Sequence, residues 1–266
     1  MPQLVSRVRR KVSATAKTMT EAAYITVLNH VKFKVDPRIK YPSYKSFDEF
    51  IDVSQLRSMD QYLSERLNAR LERQDDAFYT SLTQKPFGKR TPGSKTINLT
   101  KAKGSYNYKD VNDPDLWEIG EEAKEFPLLV DFVRTLPFKR TARIVIMYDF
   151  FGNAITAHRD HPLKELCHEF IWFRTNLKKP FYLLNPWTNE KEYVQTYSAW
   201  FDTVNQLHGA DKHEGPSFTM RVDGIFSDEL RKQITSPAYN LASTAALWTA
   251  TCPNSPAATA ARSSKG

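Results

Sequence analysis

Cysteine is scarce in this chain: Cys167 and Cys252 are the only two in 266 residues. Two thiols make no disulfide framework, no CxxC pair occurs, and a reducing, cytoplasmic setting is the default expectation. Long apolar runs are also missing. No stretch of 18 apolar residues appears, so no membrane-spanning helix is expected. Residues 1–20 lack the apolar centre of a secretory signal. Their basic, acid-free composition suits a transit peptide, or more simply a basic helix or frayed end. GxxxxGK[ST], HExxH and GxSxG are all absent. Walker-type phosphate binding, zincin proteolysis and nucleophile-elbow hydrolysis therefore have no support. No internal repeat is visible. What is present is material for a core, with 41% hydrophobic and 12% aromatic residues.

The net charge of +8 invites a nucleic-acid reading, but its distribution weakens it. Residues 1–20 carry +5, residues 81–104 carry +6 and residues 235–266 carry +2, which leaves the rest of the chain at −5. The excess sits in one terminus, one loop and one tail. Phosphate binding by the 81–104 loop competes with a plain solvated loop.

Helices are expected over 18–32 and 47–79. Leu63, Leu67 and Leu71 recur every fourth residue, and Ser46 and Asp48 offer a capped start. Residues 81–105, with Pro86, Gly88, Pro92 and Gly93, read as a long loop. Residues 113–136 read as helix interrupted at Pro127. Beyond Pro137 the character changes. TARIVIMYDF (141–150), HEFIWFRTNL (168–177), FYLLN (181–185), YVQTYSAWFDT (193–203) and SFTMRVDGIF (217–226) are short and rich in β-branched and aromatic residues. Such spacing predicts a β-sandwich or barrel. Ser227 could cap a short closing helix, SDELRKQI. The expected plan is a helical region over 1–110 with its basic loop, a β-rich core over 111–234 and a low-complexity tail over 235–266.

Three of the six histidines fall in TAHRDHPLKELCHEF (156–170). His158 and Asp160 form an HxD after a predicted strand and the turn-like Phe-Gly152-Asn153. Two residues apart in extended backbone, they point to one side. His208, just beyond another strand, is a third candidate ligand. Two imidazoles and one carboxylate leave three open positions on an octahedral ion, the arrangement of non-haem Fe(II) oxygenases. Two positions suit a bidentate keto acid and the third suits O₂. In SFTMRVDGIF, Ser217, Thr219, Arg221 and Asp223 share one face, and Phe218, Met220 and Val222 share the other. Arg221 is shaped to hold a carboxylate by two parallel hydrogen bonds, that of 2-oxoglutarate being the expected partner.

Taken with RIVIM (143–147), HRD (158–160), WFDT (200–203), His208 and FTMRVD (218–223), residues 138–226 resemble the Fe(II)/2-oxoglutarate-dependent dioxygenases. The aspartyl/asparaginyl β-hydroxylase-like and prolyl hydroxylase-like branches are the most similar. Residues 1–110 carry no such resemblance. It implies an α+β chain with a double-stranded β-helix (jelly-roll) core. It implies Fe(II) held by His158, Asp160 and His208, and 2-oxoglutarate as cosubstrate anchored by Arg221. It also implies O₂-dependent hydroxylation of a C–H bond in an amino acid, a peptidyl residue or a small metabolite. Asp160 argues against a halogenating branch, where a small residue stands at that position. Arg174 is the candidate second anchor for the cosubstrate, with Arg143 and Tyr148 as alternatives.

Blander readings stand beside these. His161, before Pro162, suits a loop; His168 suits the start of a strand; His213 suits a solvated turn. Asp202 either orients a ligating histidine or ends a strand. Trp172, Phe173 and Trp200 read as core. The same three ligands could hold Zn²⁺ in a hydrolase with Glu165 or Glu169 as base, which leaves Arg221 without a task. An inert jelly roll binding nucleic acid or protein through Lys85, Lys89, Arg90 and Lys95 is the alternative from another class.

Overall fold

β-Branched and aromatic residues dominate the strands, and short polar turns separate them. The computed structural model describes residues 44–73, 94–106, 110–160, 169–185, 188–201, 203 and 207–234. The expected helix over 18–32, the loop over 81–93, His161, Glu165, His168, Asp202 and the tail lie outside the described residues. In chain order the elements are β1 (Lys45–Ser46), α1 (Val53–Ser58), α2 (Asp60–Arg73), β2 (Ser94–Asn98), β3 (Thr100–Ala102), β4 (Trp117–Ile119), α3 (Pro127–Thr135) and β5 (Phe138–Asp149). There follow β6 (Ile155–His158), β7 (Phe170–Phe173), β8 (Phe181–Leu184), β9 (Lys191–Tyr193), β10 (Ser198–Trp200), β11 (His208–Ala210), β12 (Ser217–Phe226) and α4 (Asp228–Ile234).

The six-stranded sheet runs β1-β10-β7-β12-β5-β2 and the four-stranded sheet runs β6-β11-β8-β9. Every pairing is antiparallel. From β5 onward the chain alternates between the sheets, except that β9 stays beside β8 as a hairpin. This is a double-stranded β-helix, as expected. Residues 1–110 supply β1 and β2 at the two edges of the larger sheet, and residues 111–234 supply the strands between them.

The helices cover the outer face of that sheet. Leu56, Met59, Leu63 and Leu67 lie on one face at helical spacing and join one core with Phe132, Ile146, Phe173 and Met220. Leu56 and Leu63 are fully buried, each stabilising the fold by roughly 1.5–3 kcal/mol. On β12, Phe218, Met220 and Val222 face this core as alternation demands.

Several local expectations change. Asp52, not Ser46 or Asp48, caps α1, accepting from the Gln55 N–H at 2.8 Å. Asp48 instead accepts from the Tyr197 and Ser198 amides at 3.0 and 2.7 Å and from the Ser198 hydroxyl at 2.7 Å, stitching β1 to β10. Part of the expected 81–105 loop is strand: β2 pairs with β5 and β3 with β4. The 113–136 helix breaks into a 3₁₀ turn over Pro114–Leu116, β4, a second 3₁₀ turn over Glu121–Glu125, and α3. Pro127 opens α3 rather than interrupting a helix, since its missing N–H is not needed at that position. Ser227 does cap α4, accepting from Leu230 N–H at 3.1 Å.

Candidate metal centre

β6 and β11 pair with His208 directly opposite His158. That register brings the two imidazoles together, their ring centroids 4.5 Å apart. Gly209 keeps the strands close. A Cβ there would lie 2.5 Å from the Ile155 carbonyl oxygen and 2.6 Å from the Tyr182 hydroxyl. The turn before β6 needs Gly152, at φ 61°, where a side chain would collide with the His213 carbonyl at 2.1 Å. Beyond β6, the Asp160 amide donates to the Thr203 carbonyl at 2.9 Å, which turns the carboxylate back over the histidines.

Asp160 Oδ1 stands 3.2 Å from His208 Nε2 and 3.6 Å from His158 Nε2. The three donor atoms lie within 4.8 Å of one another. Three donors about 2.1 Å from one ion stand about 3 Å apart around an octahedron and about 3.4 Å around a tetrahedron, so these side chains fit a shared cation. His158 Nδ1 donates to the Thr156 carbonyl at 2.9 Å, which leaves Nε2 as its lone-pair donor toward the cluster. Burial opposes charge on Asp160, but His208, His158 and Arg221 outweigh it and hold the carboxyl well below the usual range. Burial likewise opposes charge on His158, and the Asp160 carboxylate and Thr156 carbonyl more than reverse it, raising the imidazole. The centre thus favours a positive charge between the carboxylate and the rings.

The cluster opens onto a cavity of about 120 Å³ between the two sheets. That is about eight times what one water needs, enough for a small organic acid. Phe170, Trp172, Phe181 and Phe201 form one wall, and Ser217, Thr219 and Arg221 project from β12. Trp172, Phe173 and Trp200 are core, as expected, and Trp172 also lines the cavity. Alternation along β7 explains this, because Phe170, Trp172 and Arg174 share the inner face.

The cationic side chains have partners that the sequence did not reveal. Arg221 is buried on the inner face, stacked 3.9 Å over the Phe170 ring, and its Nη1 reaches Asp160 Oδ2 at 3.3 Å. Its Nε and Nη2 donate to Asp223 Oδ1 at 2.9 and 2.8 Å. This takes one of the edges by which a guanidinium can hold a carboxylate through two parallel bonds, and Asp160 meets the Nη1 of another. Arg174 donates to the main-chain carbonyls of Thr196 at 3.2 Å, Lys179 at 2.9 Å and Val194. Burial pushes its guanidinium down to about 10. It ties the end of β7 to the 194–197 segment, a task different from the expected anchor. Arg143 pairs with Asp223 at 2.9 Å. Tyr148 donates to Asn68 at 2.8 Å, with its hydroxyl pushed up to about 12 by burial.

Sequence reasoning missed Lys179. Its ammonium is buried at the cavity, 2.7 Å from Asp149 Oδ2 and 2.6 Å from the Asn153 carbonyl. Its neighbour Lys178 is exposed, and nothing in NLKKP tells which lysine turns inward. Glu169, a candidate base for a zinc hydrolase, is committed to Arg231 at 2.8 Å and to the Phe226 amide at 2.7 Å. Within the basic segment, Lys101 pairs with Glu118 at 3.2 Å and Lys103 donates to the Asp115 carbonyl at 3.0 Å. Lys85, Lys89 and Arg90 lie outside the described residues. Among the described residues no helix is long and apolar enough to cross a membrane.

Fold and cluster together define a class: a double-stranded β-helix with two imidazoles and one carboxylate converging at the cavity between its two sheets. No protein-family model matches the chain and no curated protein matches it. Among solved structures, a prolyl hydroxylase from Trichoplax adhaerens, in complex with a hypoxia inducible factor peptide, is similar at 12% identity and TM-score 0.42, covering 85% of this chain and 95% of that one. AviO1 from Streptomyces viridochromogenes is similar at 11% identity and TM-score 0.38, covering 77% and 95%. A prolyl-4-hydroxylase from Pseudomonas putida is similar at 9% identity and TM-score 0.36, covering 77% and 97%. At such values a likeness gives no residue of this chain its role, and the side chains themselves must do so.

Proposed function

We propose that this chain is an Fe(II)- and 2-oxoglutarate-dependent oxygenase that hydroxylates a C–H bond. The observation that carries the reading is the convergence of His158 Nε2, Asp160 Oδ1 and His208 Nε2 within 4.8 Å on paired strands at a cavity. The balanced reaction is R–H + O₂ + 2-oxoglutarate → R–OH + succinate + CO₂, and Fe(II), when bound, supplies the O₂ activation and electron transfer. His158, Asp160 and His208 hold the ion. Thr156 sets the tautomer of His158. The aromatic wall of Phe170, Trp172, Phe181 and Phe201 excludes water from the reacting atoms. An amino acid, a peptidyl residue or a small metabolite is the substrate.

Lys179 takes the distal carboxylate of 2-oxoglutarate in this reading, the task first expected of Arg221. Both line the cavity and both are paired, Arg221 through Nε and Nη2 to Asp223 and Lys179 to Asp149 and the Asn153 carbonyl, and the choice between them rests on the ammonium having three donors, one more than these two contacts use. No feature of the described residues favours the zinc hydrolase over this, because Glu169 is held by Arg231.

Adding Fe(II) and 2-oxoglutarate without oxygen should produce the weak visible charge-transfer band of the chelate. His158→Ala should abolish it, and Lys179→Met should require about 30-fold more 2-oxoglutarate to reach it, the equivalent of about 2 kcal/mol for one buried charge pair. Identical featureless spectra from wild type and His158→Ala would sink the oxygenase reading. Succinate release, screened over amino acids, peptides and metabolites, then identifies the substrate.

A further inference from the structure

Behind Asp160, itself exposed, lies a row of alternating charges whose two middle members are buried: Arg143, Asp223, Arg221, Asp160. Asp223 is fully buried. The β12–β5 register, with Val222 opposite Ile144, sets it beside Arg143 on β5 before the ladder shifts at Gly224. Its Oδ2 accepts from Arg143 Nε and Nη2 at 3.0 and 2.9 Å, and its Oδ1 from Arg221 Nε and Nη2 at 2.9 and 2.8 Å. Each guanidinium thus presents one edge to one oxygen, and all four contacts are charge-assisted. With that edge on Asp223 and its plane stacked on Phe170, Arg221 turns Nη1 to Asp160.

We infer that Asp223, backed by Arg143, is a positioning residue that makes Asp160 a one-oxygen metal ligand; this rests on the metal-centre reading above. The two oxygens of Asp160 face different ways. Oδ1 faces both histidine Nε2 atoms, at 3.2 and 3.6 Å, while Oδ2 is held by Arg221. A carboxylate whose second oxygen is held supplies one coordination position, so three remain open; a bidentate Asp160 would leave two. The chemistry proposed above needs three, two for a keto acid and one for O₂. Asp223 also settles the charge. Without it, Arg221 would set an uncompensated cation beside a divalent ion, and Arg143 a second one behind it. With it the row sums to zero.

A ladder that merely joins β5 to β12 would have the same contacts, so the test uses the metal alone. Co(II) titrated into the metal-free full chain, followed by its visible d–d absorption, should bind about 10–100-fold more weakly to Asp223→Asn. Arg143→Gln, at the end of the row away from the metal centre, should weaken binding in the same direction even if Asp223→Asn does not fold. Glu169→Gln removes an equally buried, arginine-paired carboxylate outside the row. It should lower the melting temperature and leave Co(II) affinity unchanged. Water-proton relaxation by Mn(II) should count three exchangeable waters on the wild-type site. Wild-type affinity in the foldable row variants, an equal loss in Glu169→Gln, or two waters on Mn(II) would each overturn the inference. Failure of the wild type to take up Co(II) would remove the metal-centre reading itself, which the other outcomes leave standing.

Discussion

Replacing Arg174 by methionine removes a guanidinium with little exposure whose three nitrogens each donate to a main-chain carbonyl. Hydrogen bonds from a charged group contribute about 1.5–3 kcal/mol each, so three amount to about 4.5–9 kcal/mol. Against this stands the cost of burying the charge. The depression of the guanidinium to about 10 corresponds to about 3 kcal/mol, which methionine does not incur. The substitution should therefore destabilise the fold by about 1.5–6 kcal/mol. With a urea slope of about 2 kcal/mol per molar, the unfolding midpoint should fall by about 0.7–3 M. At low urea, where both forms are folded, affinity for Co(II) and for 2-oxoglutarate should stay within about twofold of wild type, which is less than 0.5 kcal/mol. An unchanged midpoint together with a hundredfold loss of 2-oxoglutarate affinity would refute this reasoning. It would return Arg174 to the anchoring role that its sequence context first suggests.

Two further outcomes follow from the packing. Gly209→Ala forces a Cβ to within 2.5 Å of the Ile155 carbonyl and so pushes β6 from β11. It should weaken Co(II) binding at least tenfold by separating His158 from His208, and a wild-type titration would show that the strands have slack. Burial pushes the Lys45 ammonium down to about 7, while the unfolded chain titrates near pH 10.4. Between these values the unfolded state binds a proton that the folded state does not, so this residue makes stability rise with pH. Relative to Lys45→Met, the wild type should gain stability between pH 6 and pH 9 in paired urea melts; a constant difference would refute the shift.

That His158, Asp160 and His208 belong together was legible because the sequence places all three beside strand ends. His158 and Asp160 stand two apart at a strand end, although the Asp160 amide's bond to Thr203 rather than extended backbone brings the carboxylate over, and His208 begins a strand at the point where the chain returns. The face of β12 was legible because ten alternating residues leave little freedom. What was not legible depends on partners far along the chain. Asp223 could be assigned to the polar face, yet its partner Arg143 lies 80 residues away, so Arg221 appeared to offer an edge that is in fact taken. Lys179 finds Asp149 across 30 residues. Ser94–Asn98 reads as loop by composition and becomes strand only because β5 offers it an edge. β11, three residues long, is too short to carry a period of its own.

One consequence of β12 concerns how such a protein can vary. This strand lies inside the larger sheet, between β7 and β5, with helix-packed apolar residues on one side and the charged row on the other. Inserting or deleting one residue in its middle would swap the two sides from there to the end of the strand. Arg221 and Asp223 would enter the hydrocarbon core, and Met220 and Val222 would enter the cavity. Change of length is therefore closed to this strand and left to the connections between strands. Within β12 a lineage can explore new chemistry only by exchanging side chains in place, one face at a time.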